Sequence, residues 1–328
     1  MGTNFENGVS SHGVPLYGSG IGGFPCVGDV YWVDGTNGSD SRTGLGPTKA
    51  KKTIQAAVTA QMAASTGLGD IIYILPGTYA ESVVATTMTN VSLIGASADS
   101  VIIAPTASHG LLVGADGATA STMTNSVIRG ITFLSPSTSN TTYAALCICY
   151  MTKSVIESCK FKGTTNTGTG ASATTGIRIG NRTDTAWEFH EHSRISNCEF
   201  TSNAGRTTQL GVGIHVGANT VANPSYKGFK SMIIEDCLIT AKDRGIRMGT
   251  GASSCNGTII RRNAINNQEA GGPGVGIQSL STDGTDTLCM IHDNRIVAIT
   301  DAILNFTTGN VQGNIVSVNN GTPAAETA

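Results

Sequence analysis

The sequence predicts an all-β fold, a parallel β-helix solenoid with an N-terminal capping helix and an extended arm before it. Three observations carry that expectation. Two apolar patterns interleave at a spacing of roughly thirty residues, which is how stacked repeats read in sequence. Their apolar residues alternate with a period of two over short runs, and no repeat holds a helix-length periodic segment. Aromatics make up only 5% of the 328 residues while glycine reaches 42 residues, a composition suited to a narrow coil with many turns.

The first pattern is the run VIRGITF from Val127 to Phe133, repeated as Val155 to Phe161, Arg194 to Phe200, Ile233 to Ile239, Ile259 to Ile265, Met290 to Ile296 and Asn310 to Val316. Each copy has a large aliphatic residue, two turn-prone residues, an anchor, a spacer and another large apolar residue. The anchors are Ile131, then Cys159, Cys198 and Cys237, then Asn263, Asn294 and Asn314. The second pattern sets a small residue before alternating apolar ones, beginning at Gly110, Ala145, Gly176, Gly213, Gly245, Gly276 and Ala302. Stacked coils satisfy both, because each strand pairs with its counterpart about 4.8 Å away in the next coil. The anchors then form a structural ladder. Asn passes amide hydrogen bonds along it, and Cys fills the same column as a small buried side chain.

Bulk numbers narrow the class. A charged fraction of 13% and a net charge of −2 point to neither nucleic acid nor an anionic membrane surface. The opening MGTNFENGVSSHG has no basic or apolar stretch of a signal peptide, and the run Ile71 to Leu75 is too short to span a bilayer. Synthesis in a cytosol is therefore expected. Of the 8 cysteines three repeat at the anchor, and Cys147 and Cys149 share one strand face, so reduced thiols and no zinc site are expected.

In chain order, residues 1–28 are Gly-, Ser- and Asn-rich with isolated Val14, Leu16, Ile21 and Phe24, an arm that orders only against a neighbour or remains a frayed tail. Residues 29–70 hold an opening strand and the cap. Asp34, Asn37 and Asp40 admit either a calcium ion or Asx-turns, and no metal is assigned. Thr53 to Ala64 carries the stripe Ile54, Ala57, Val58, Gln61 and Met62, which suits a helix covering the open end of a solenoid. The coils occupy 71–318, and 319–328 form a polar tail.

The run YWVDGTNGSDSRTG, then KKTIQAAV, then GDIIYILPGTYAESV resembles the lead-in segment of right-handed β-helix proteins of the pectate-lyase-like superfamily. The resemblance spans Tyr31 to Val83 in detail and implies a single-stranded right-handed parallel β-helix. It says little of activity, because that fold hosts lyases, hydrolases, epimerases and non-catalytic virion proteins. The opening TNFENGVSSHGVPLYGSG is similar to the starts of virion proteins of tailed bacteriophages, where a short arm precedes the folded part.

Glycan chemistry on such a scaffold needs carboxylates brought together from adjacent coils. Two residues before the anchor the column reads Arg129, Glu157, Ser196, Glu235, Arg261, His292, Gln312, and one before it Gly130, Ser158, Asn197, Asp236, Arg262, Asp293, Gly313. Carboxylates alternate there with neutral and basic residues, so both columns read as solvated turns. His190 and His192, spaced to share a strand face beside Glu188 and Glu191, lack a third ligand. Arg178, Asp243, Arg244 and Arg247 match no lyase signature beyond an isolated arginine. Trp187 and Tyr226 sit at equal distances before Cys198 and Cys237 and are placed to contact a glycan or another subunit.

These readings converge on a non-catalytic phage virion structural protein, a capsid decoration protein attached through residues 1–28 to the major capsid protein or other virion proteins. It is made in the host cytoplasm and uses no cofactor. A homotrimer is implied by the phage resemblance. The alternative is a tail spike or fibre that binds or depolymerises a host-surface glycan as a lyase or hydrolase; a surface adhesin is the third reading.

Overall fold

The computed structural model describes residues 9–11, 14–17, 28–64, 69–105, 108–114, 122–136, 143–163, 174–180, 190–202, 210–217, 229–251, 257–267, 274–281, 289–304, 306 and 311–318. From Val30 onward its strands form four sheets of ten, nine, eight and five strands, and every pairing within them is parallel. The chain is a right-handed parallel β-helix, the hand that right-twisted strands impose on parallel crossovers. One coil runs from Val127–Arg129 in the ten-stranded sheet to Thr132–Leu134 in the nine-stranded, Ala144–Ile148 in the eight-stranded and Tyr150–Thr152 in the five-stranded sheet. The next coil opens in register, with Ile128 opposite Ile156.

Register turns the alternating pattern into a core. Leu93, Ile128, Ile156, Ile195, Ile234, Ile260 and Ile291 form one inward row, and all are buried. In the nine-stranded sheet Phe133, Phe161 and Phe200 stack with ring centroids 5.4 and 4.8 Å apart before the row continues as Ile239, Ile265 and Ile296. Each buried aliphatic or aromatic side chain contributes about 1.5–3 kcal/mol. The small residue of the second pattern has a steric cause. A Cβ on Gly176 would lie 2.7 Å from the Gly213 carbonyl oxygen and 2.8 Å from Phe200, so the strand presses directly on the next coil and the aromatic stack.

Two corners turn the chain by left-handed residues. Before the ten-stranded sheet these are Asn90, Asn125, Lys153, His192 and Ser231, with φ between 48° and 55°. Before the anchor they are Gly130, Ser158, Asn197, Asp236, Arg262, Asp293 and Gly313. That second column was expected to be solvated turn, and its backbone is a turn. The column two before the anchor is not. Arg129, Glu157, Ser196, Glu235 and Arg261 lie on strands of the ten-stranded sheet, and Glu235 and Ser196 are buried.

A helix, α1 (Ile54–Ala64), buries Ile54, Ala57, Val58 and Gln61 against the core at the N-terminal end. Its first turn is capped from outside. Thr53 Oγ1 accepts the Ala56 N–H at 3.1 Å, and the Glu81 carboxylate accepts from the Ile54 and Gln55 N–H groups at 2.8 and 2.9 Å. Buried Asp70 ties the helix to the first strand, taking hydrogen bonds from Gln61 Nε2 and the Asp29 N–H, each at 2.9 Å.

Candidate anion-binding face

The outward row of the eight-stranded sheet reads Val84, Leu112, Cys147, Arg178, His215, Arg247, Gln278 and Leu304, each opposite the next. Outward positions of a solenoid are normally wet and polar. Here Cys147, Arg178 and His215 are almost wholly buried, with Arg178 and His215 each 2% exposed. Strands about 4.8 Å apart bring two guanidinium groups and an imidazole between them into one line. Arg244, on the same strand as Arg247, donates from Nε to Gln278 Oε1.

This row concentrates hydrogen-bond donors. Arg178 Nε and Nη2, His215 Nε2 and Arg247 Nε are buried with no hydrogen-bond partner. His109, 4% exposed, joins them: its Nδ1 accepts the Ala144 N–H at 3.0 Å, which puts the ring proton on Nε2, and that atom is buried without a partner too. Burial, and then the charge of Arg178, push the His109 pKa down to about 3. Burial, then Arg247, Arg178 and Arg244, hold His215 well below the usual imidazole value. Burial and the neighbouring Arg244 lower Arg247 to about 10. The imidazoles are therefore neutral among cations, and with the guanidinium donors and the His109 Nε2–H they attract negative charge.

The other charged cluster is already satisfied. Buried Glu235 on the ten-stranded sheet meets Arg194 at 3.3 Å and both Arg261 and Arg262 at 2.8 Å, while Arg262 also grips Asp236 through two hydrogen bonds of 2.7 and 2.8 Å. Its carboxylates face guanidiniums, which makes it a brace between coils.

The anchor column lies at the corner between the ten- and nine-stranded sheets. Asn263 Nδ2 donates to Asn294 Oδ1 and Asn294 Nδ2 to Asn314 Oδ1, each at 3.0 Å. The same oxygens accept the Asn263 and Asn294 N–H groups, and Asn263 Oδ1 accepts that of Cys237, again at 3.0 Å. The amides also donate to the Ile234, Ile260 and Ile291 carbonyls of the preceding coil. Cys159 and Cys198 aim their thiols at the equivalent carbonyls of Ile128 and Ile156, at 3.7 and 3.9 Å. Burial pushes the Cys159 thiol up to about 12 and raises Cys198 as well, so these sulfurs stay protonated and unreactive. Cys159, Cys198 and Cys237 carry free thiols.

Sequence reasoning missed a second ladder. Ser126 Oγ accepts the Val91 N–H at 3.1 Å and donates to the Met88 carbonyl at 3.0 Å, and Ser126 and Ser154 pass their own N–H groups to the hydroxyls of Ser154 and Ser193. The signal was present: each serine immediately precedes a copy of the first pattern. The row Arg178, His215, Arg247 was also missed as a unit, although the third position of GIRIG, GIHVG and GIRMG spells it.

Other sequence candidates fall differently. Asp34 accepts the Thr36 and Asn37 N–H groups, both at 2.9 Å, which is the Asx-turn arrangement, whereas Asp40 accepts those of Lys52 and Thr53 at 2.8 and 2.9 Å and so ties its loop to the residues just before α1. The strand His190–Glu191 ends before His192, whose φ of 50° puts it in a corner turn and not on the strand. Among the described residues no group of three His, Cys, Asp or Glu is placed to hold a metal ion, and no described helix is long and apolar enough to cross a membrane. Trp187 and Tyr226 lie outside the described residues.

No protein-family profile matches the chain, and no curated protein resembles it significantly. Among solved structures, XylC in complex with xylose is similar over 88% of this chain and 68% of its own, at 10% identity and a TM-score of 0.49. Pectin methylesterase PemA from Erwinia chrysanthemi covers 84% of this chain and 80% of its own, at 14% identity and a TM-score of 0.44. Pectin methylesterase from carrot covers 90% of both chains, at 16% identity and a TM-score of 0.35. Likeness at this level carries no inference about activity, which has to come from the side chains.

Proposed function

We propose that the chain is a structural protein of a bacteriophage virion, a rigid β-helical body held to the particle by its N-terminal arm, with capsid decoration as its place and a homotrimer as its assembly. The observation that carries this reading is the arm itself. Val9–Ser11 and Val14–Tyr17 pair antiparallel with each other in a two-stranded sheet of their own, and among the described residues they join none of the four solenoid sheets. Because α1 already covers the N-terminal end of the core, the arm is left to engage another surface. The resemblance of the opening residues to phage virion proteins supplies the partner class.

Deleting residues 1–28 tests this. Loss of association with particles carrying the major capsid protein, with an unchanged melting temperature of the solenoid, is the expected result. Full association of the truncated protein would remove the arm from the account.

A second reading, a spike that binds or cleaves an acidic host-surface glycan, is favoured by one feature. Arg244 and Arg247 on the eight-stranded sheet are only partly buried and so within reach of a polyanion. Release of reducing ends or of unsaturated products from capsular polysaccharide would establish it in place of the structural role.

A further inference from the structure

We propose that the row of buried Arg178 and His215 and part-buried Arg247, together with His109, is a binding site for a small oxyanion such as sulfate, phosphate or a compact carboxylate. The reasoning starts from the unpaired donors. Folding has placed Arg178 Nε and Nη2, His215 Nε2, Arg247 Nε and His109 Nε2 where no protein group pairs with them and bulk solvent does not reach them. A single orphan is tolerable, but a row of them drawn from four coils, with two guanidinium charges in it, is heavily disfavoured unless something negative completes it.

The geometry selects the ligand class. Nε and Nη2 occupy one edge of the guanidinium, the fork that meets two oxygens of one anion side by side. A halide would engage that fork through a single centre and leave the imidazoles unused. A neutral sugar supplies acceptors but no charge to set against Arg178 and Arg247. Burial excludes polymers, because Arg178 and His215 are each only 2% exposed and a chain cannot thread to them. Both imidazoles are held neutral and His109 presents an Nε2–H donor, so they add no repulsion between cations. The site is independent of the arm, and its loss would leave the virion reading intact.

The test is a melt of protein purified throughout in chloride buffer, with sulfate or inorganic phosphate exchanged for chloride at matched ionic strength. A saturable rise in melting temperature of about 2 °C or more with the oxyanions is expected. Arg178→Met, which keeps bulk and removes the fork, should abolish it, and Arg178→Lys, which keeps charge without the fork, should reduce it. Equal responses to chloride and sulfate overturn the proposal, and so does an undiminished sulfate response in Arg178→Met. Should that variant fail to fold, wild-type crystals grown from selenate decide. Anomalous density within hydrogen-bond reach of Arg178 Nε and His215 Nε2 supports the site, and featureless density there overturns it. Stabilisation by a hyaluronan oligosaccharide but not by sulfate would likewise overturn the small-anion assignment in favour of a glycan.

Discussion

His109 shows how one side chain couples the buried face to pH. Its Nδ1 holds the Ala144 N–H, its ring packs edge-on against Tyr143 at 5.2 Å, and burial with the nearby Arg178 depresses its pKa to about 3. In the unfolded chain an imidazole returns to its ordinary value of 6.5. Between those two values the unfolded state binds a proton that the folded state refuses, so stability falls as pH drops, by about 1.4 kcal/mol per unit for one group. Below the folded value the loss is complete. We predict that unfolding midpoints measured from pH 7 to pH 4 decline on the acid side of 6.5, and that His109→Asn, which keeps an acceptor for Ala144 but does not titrate, flattens the decline. His215, depressed in the same direction, leaves part of the slope in that variant. An identical pH profile for the two proteins would remove His109 from this role.

At the scale of the element, the corners decide which residues the repeat tolerates. A left-handed residue turns the chain, and the next side chain replaces the backbone hydrogen bonds that the turn interrupts. Serine does this where Ser126, Ser154 and Ser193 stack, and asparagine where Asn263, Asn294 and Asn314 stack. A carboxamide both accepts the previous anchor's N–H and donates to a carbonyl of the previous coil. A thiol is weak in both roles, which fits Cys159 and Cys198 standing where the aromatic stack dries the core. Asn294→Ala should therefore cost about 2–3 kcal/mol, since it strands the Asn263 N–H and amide and the Ile260 carbonyl in the interior. Asn294→Cys should cost less, because the thiol still reaches the carbonyl. Denaturant titration of both variants measures the difference, and equal losses would mean that column packing, not hydrogen bonding, sets the stability.

The whole molecule explains why the sequence was legible in some places and not in others. Local repetition announces a solenoid, because the period-two runs give the strands. The cap was equally plain, because Ile54, Ala57, Val58 and Gln61 make a helical stripe in a chain otherwise built on alternation. What could not be read was which outward residues become buried. Arg178 and His215 look like ordinary solvent-facing positions of their strands, and only the assembled fold shows them closed over. Glu235 was misjudged for the same reason, its burial depending on arginines contributed by neighbouring coils.

The same view yields a prediction about the solenoid end. Every interior coil has a neighbour on both sides, whereas the strand Val30–Val33 lies at the edge of the ten-stranded sheet with α1 packed over the core beside it. Exposed strand edges and open apolar cores recruit other chains. Ile54 is wholly buried, so Ile54→Asp places a charge in the seam between helix and first coils and unseats the cap. The expected outcome is a lower melting temperature together with concentration-dependent association beyond that of the wild-type protein, followed by sedimentation velocity. An unchanged mass across a hundredfold concentration range, with only the melt lowered, would mean that α1 contributes packing but does not guard the end of the stack.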